Sequence, residues 1–176
     1  MSSCIQLSKL FVARTQLKTA IELWFANGDP VSIHTLACAA HQIIHDINRD
    51  NGGPDLTFDS RFIKAEKRKQ WVARLRVEMN FFKHADNDPT SRIDFDPKVS
   101  EFFILMSIQG LMNFRLEGNM EETAFLRWFM LRNPDMLTDS GKRFVADRIP
   151  GGVSEISHLT RSQFYDAFCD AFNCLR

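Results

Sequence analysis

The chain has 176 residues, enough for one full-sized domain at about 100–200 residues per domain, and its 44% apolar and 25% charged residues are those of an ordinary globular protein. Lys plus Arg and Asp plus Glu stand at 22 each, so no overall field draws the chain to nucleic acid or an anionic membrane; any such contact needs a local patch. No run approaches the about 20 apolar residues of a membrane span, and the N-terminus has no secretory pattern; with four cysteines and no Cys-x-x-Cys pair, the expectation is a cytoplasmic protein with free thiols.

Apolar residues recur at helical spacing almost throughout, and nothing sustains the alternation of a strand. The predicted class is all-α, a bundle of five to six helices built from antiparallel hairpins. A first helix is expected over 8–26, with Leu10, Leu17, Ile21, Trp24 and Phe25 inward and a stop at Asn27-Gly28, which suits a left-handed cap. Asp29-Pro30 supplies an N-cap and a first-turn proline for a second helix to Arg49. Asn51-Gly52-Gly53-Pro54 breaks the chain before a third helix, Ser60 to Ala85. Asp96-Pro97 starts a fourth, to Glu117, whose Phe102 to Met106 run predicts the most buried helix and the bundle centre. A shorter helix follows over 121–132. After a less regular stretch with a Gly151-Gly152 joint, a last helix spans 160–175, with Phe164, Phe168 and Phe172 at steps of four, to pack on the bundle or on a partner. The chain thus reads as a single domain, 1–176, with a four-helix core over 8–117 and a helical extension over 118–176.

Three groups of side chains could carry chemistry. On the second helix His34, Cys38, His41 and His45 fall in one stripe, about 120° from the core stripe of Ile33, Ala37, Ala40 and Ile44. Imidazoles four apart can share a metal ion, so His41 and His45 are the candidate metal ligands; the structural alternative is a line of rings at the core boundary. The third helix opens with Arg61, Lys64, Lys67, Arg68, Lys69, Arg74 and Arg76 against Glu66, a patch able to neutralise phosphates or simply to face solvent. Asp86, Asp88, Asp94 and Asp96 could bind a hard cation but lack the calcium-loop pattern, and read as caps and turns. If helices two and three run antiparallel, His84 lies far from His45 and near His34 alone.

At the end of the third helix Asn80 and His84, four apart, share a face, with Lys83 beside them. The segment Asn80-Phe81-Phe82-Lys83-His84-Ala85-Asp86, with Gly28–Leu36, resembles a group of uncharacterised bacterial all-helical proteins. More distantly it resembles the HEPN superfamily, helical bundles whose ribonuclease members carry an Arg, often a polar residue after it, and a His near a helix end. Asn80 matches the polar residue and His84 the histidine, but Met79 stands where the arginine belongs, and a thioether cannot hold a phosphate. The resemblance implies a homodimer.

The expected function is therefore non-enzymatic binding of a nucleotide, RNA or a protein partner through Asn80, Lys83 and His84, with Arg74 and Arg76 as additional contacts and no cofactor. The alternatives are a divergent metal-independent ribonuclease with His84 as general acid or base, Arg74 or Arg76 replacing the missing arginine, or a metal-dependent hydrolase using His41 and His45.

Overall fold

The computed structural model describes residues 4–54, 56, 64–147, 156 and 158–174. The expected start of the third helix at Ser60, with Arg61 and Phe62, and the Gly151-Gly152 joint lie outside the described residues. Helices α1 (Lys9–Phe25), α2 (Pro30–Asp50), α3 (Ala65–Leu75), α4 (Val77–Phe81), α5 (Val99–Asn113), α6 (Met120–Arg132), α7 (Asp139–Ala146) and α8 (Arg161–Cys174) pack as a bundle, and no strand occurs among the described residues.

Local chemistry sets the helix starts. Ser8 Oγ accepts from the Phe11 N–H at 3.1 Å, and Asp29 Oδ2 from the Ser32 N–H at 2.7 Å with Pro30 in the first turn. At α6 the cap is reciprocal: the Glu122 N–H donates to Asn119 Oδ1 at 2.8 Å and the Asn119 N–H to Glu122 Oε2 at 3.0 Å. Asn27, at φ 52, closes α1 in the left-handed region and turns the chain into α2.

The expected centre moves from α5 to α2. Both α1 and α5 pack along α2, so its apolar stripe and its histidine stripe are both covered, and Ile33, His34, Ala37, Cys38, Ala40, His41, Ile44 and His45 are all buried. On α5, by contrast, Phe103 and Ile104 are sealed while Phe102, Leu105 and Met106 stay partly exposed and Met112 is exposed. Helices α2 and α5 meet at Gly110, where a methyl group would stand 2.5 Å from Ile44 Cγ2 and 3.0 Å from Leu56 Cδ1. That closeness requires glycine.

Two buried carboxylates tie α6 to α1. Arg14 holds Glu122 through two bonds, Nε to Oε1 at 3.1 Å and Nη2 to Oε2 at 3.0 Å, and Lys18 holds Glu121 at 2.5 Å. Paired and bonded, the two acids sit in the interior without an uncompensated charge. Helix α8 docks on its own chain. Phe164 is buried against Trp128 at 5.2 Å, Tyr165 stacks on Phe25 at 4.5 Å, and Arg161 lies over Trp24 at 4.5 Å.

The single third helix expected from the sequence is two, separated at Arg76, which has φ −97° and ψ −1°. The Arg76 side chain turns inward, donating to Gln42 Oε1 on α2 at 3.2 Å. Beyond the break, Glu78 and Met79 are buried, whereas α3 buries Leu75 alone. The run lies antiparallel to α2: residue 76 meets residue 42, and Phe82 meets His34 at 5.4 Å.

Candidate functional site

Helix α4 ends by convergence on one carbonyl. The N–H groups of Lys83 and His84 both donate to Asn80 O, at 3.1 and 3.0 Å, and the chain then leaves into the Asp86 to Asp96 loop. The Asn80 side chain and the His84 imidazole are exposed on the same side, and both line an open hollow of about 530 Å³ with Val77, Phe81, Asp86 and Asp88. An amide, an imidazole and two carboxylates therefore share a rim around an apolar floor.

Lys83 faces elsewhere. Its charge is felt at His34 and Cys38 on α2, and it does not line the hollow. Arg74 is engaged at 2.7 Å by Glu78, whose carboxylate is buried while the guanidinium stays exposed. Arg76 is directed to Gln42. The structure thus brings Asn80 and His84 together and separates Lys83, Arg74 and Arg76 from them. The hollow carries acids where a phosphate-binding site would carry cations.

The α2 stripe is an interior feature. Ser100 Oγ lies 3.2 Å from His34 Nδ1 and Cys38 Sγ 3.3 Å from His34 Nε2, and the rings of Phe82, Phe95 and Phe103 stand edge-on around the imidazole at 5.0–5.5 Å. Burial pushes His34 down to about 4 and the Cys38 thiol up to about 12. Neither is poised for acid–base or nucleophilic work near neutrality. His41 and His45 lie with rings near parallel, centroids 6.2 Å apart, and His41 stands edge-on to Phe103 at 5.3 Å. Burial, reinforced by His45, pushes His41 down to about 3. Among the described residues no group of three or more His, Cys, Asp or Glu side chains is gathered so as to hold a metal ion.

Sequence reasoning did not foresee the contribution of Val77 and Phe81 as the floor of the hollow. The signal was present, since Val77, Phe81 and His84 step by four and three along one face. Trp71 with Lys67 and Arg74 lines a second hollow of about 570 Å³ that meets the first at Val77.

Comparison with known proteins finds no family model, no curated protein and no solved structure that matches this chain. The described helices contain none long and apolar enough to cross a membrane. What is established is the all-helical bundle.

Proposed function

We propose that the chain is a non-enzymatic recognition module that binds a protein partner through the exposed end of α4, with Asn80 and His84 as its hydrogen-bonding pair. The observation that carries this reading is the shared hollow: amide and imidazole open onto one apolar floor, Val77 and Phe81, between Asp86 and Asp88. A hydrogen-bonding rim around an apolar centre is how a protein side chain is gripped. The two carboxylates select a Lys or Arg on the incoming segment and repel a phosphate, which places a protein ahead of RNA or a nucleotide. Catalysis at His84 ranks lower, because a metal-independent ribonuclease needs a cation beside its imidazole and both nearby arginines have partners elsewhere.

Nuclear magnetic resonance of the labelled chain tests the reading. A short peptide of alternating Leu and Arg is expected to shift the His84 ring and Asn80 amide signals, and Asp88→Asn to weaken the response. A larger response of the same signals to oligouridylate would overturn it in favour of RNA.

A further inference from the structure

Beneath the end of α4 lies an ordered line of side chains that the outer hollow does not use. Cys38 Sγ is 3.3 Å from His34 Nε2, and His34 Nδ1 is 3.2 Å from Ser100 Oγ. With the ring proton on Nδ1 donated to Ser100, Nε2 presents its lone pair to the thiol. A nucleophile, a base and a group that orients the base then stand in sequence, the order that thiol chemistry uses. Helical spacing on α2 supplies the first contact and the docking of α5 supplies the second, so two elements hold the line.

The line lies one layer below the surface. His34, Cys38 and Ser100 are each no more than 1% exposed, and three rings stand edge-on around the imidazole. Phe103 is wholly buried on α5, but Phe82 and Phe95 are partly exposed and meet each other edge-on at 5.1 Å. Both belong to the stretch 82–98, which among the described residues forms neither helix nor strand. A cover without a helix's repeating bonds opens at lower cost than the helices beneath it. Charge from the same region reaches the thiol: Lys83 favours a thiolate at Cys38, and Glu78, itself held by Arg74, opposes it.

We propose that Cys38 is a gated oxidation site: lifting of the Phe82 and Phe95 cover admits a small hydroperoxide, and His34 activates the thiol against it. An uncharged oxidant suits a ring-lined chamber, where a charged one would lose its hydration. In the step, His34 Nε2 takes the thiol proton and the Cys38 sulfur attacks one oxygen of the peroxide. The S–O bond forms as the O–O bond breaks, and the leaving oxygen takes the proton from the imidazolium. Cys38 ends as a sulfenic acid and the hydroperoxide as an alcohol, or as water when the oxidant is hydrogen peroxide. Closed, the site is silent, because burial holds the thiol up at about 12 and the ring down at about 4. Open to water, both return toward their ordinary range. None of this depends on what the outer hollow binds.

The full chain with Cys4, Cys169 and Cys174 replaced by Ser carries Cys38 as its one thiol. Treating it with hydrogen peroxide in the presence of dimedone, which traps sulfenic acid, and following the intact mass tests the proposal. Slow trapping is expected, at a rate that stays flat in urea below the unfolding transition, because local opening exposes little surface. Phe95→Ala should speed it by about tenfold or more. In that open background His34→Gln should slow trapping at neutral pH by about tenfold or more, and move its rise with pH up to the ordinary thiol range. Loss of packing alone does not produce that change of profile. Phe95→Leu and His34→Asn replace any variant whose thermal melt shows it unfolded. A Cys38 that is never trapped, a rate that climbs with urea as steeply as unfolding does, a Phe95 variant no faster than its parent, or a pH profile indifferent to His34 overturns the inference.

Discussion

Histidine lives in two opposite settings in this chain. Along α2, His34, His41 and His45 are buried, His34 bonded to Ser100 and ringed by Phe82, Phe95 and Phe103, and His41 edge-on to Phe103. Past the end of α4, His84 stands in solvent over an apolar floor. Both settings begin from residues spaced three or four apart on a helix. The difference lies in what covers the helix: α1 and α5 both pack along α2, whereas Asn80 and His84 stay exposed beside an open hollow. Clustered imidazoles here serve the interior, while His84 stays at the surface.

The contrast breaks most visibly in the core. Phe103, wholly buried beside His34 and His41, should cost about 3–5 kcal/mol when replaced by Ala, measured by denaturant unfolding. An intermediate effect comes from pH. His34 and His41 have folded pKa values near 4 and 3, below the usual 6.5, so as pH falls through 6.5 the unfolded chain takes up protons that the folded chain refuses. Stability is complete above that pH and drains away down to the folded values. Between pH 7 and 5 the loss should be about 2 kcal/mol per ring, and His41→Leu should flatten the slope of Tm against pH. An unchanged slope in that variant would remove His41 from the account. The smallest effect belongs to the exposed ring: His84→Ala should shift stability by less than about 0.5 kcal/mol. A larger loss would mean that His84 belongs to the packing and not to the surface.

Much of the fold was legible because its helix ends are written in short-range chemistry. Asp29-Pro30 marks a start that depends on a few neighbouring atoms, and α1, α2 and α6 begin within a residue or so of where the sequence puts them, the caps at Ser8 and Asn119 being seen only in the structure. The break at Arg76 was not legible, since it accompanies a contact with Gln42, 34 positions away in sequence. Nor was the depth of the α2 stripe, because periodicity shows which residues share a face but not how many neighbours that face will meet. Helix α7 and the 3₁₀ turn at Pro134–Met136 escaped for a related reason: they lie in the stretch after Asn133 where no sustained apolar repeat announces them. At the candidate site, the shared exposure of Asn80 and His84 followed from their spacing. The inward turn of Arg76 and the commitment of Arg74 to a buried acid depend on tertiary structure that spacing does not encode.

The contact at Gly110 carries a consequence for how the molecule can change over time. Ile44 and Leu56 already occupy the space that a side chain there would need. A larger residue at 110 becomes tolerable only when those two shrink in step, so the three positions are bound to vary as a set, and a lone substitution leads nowhere.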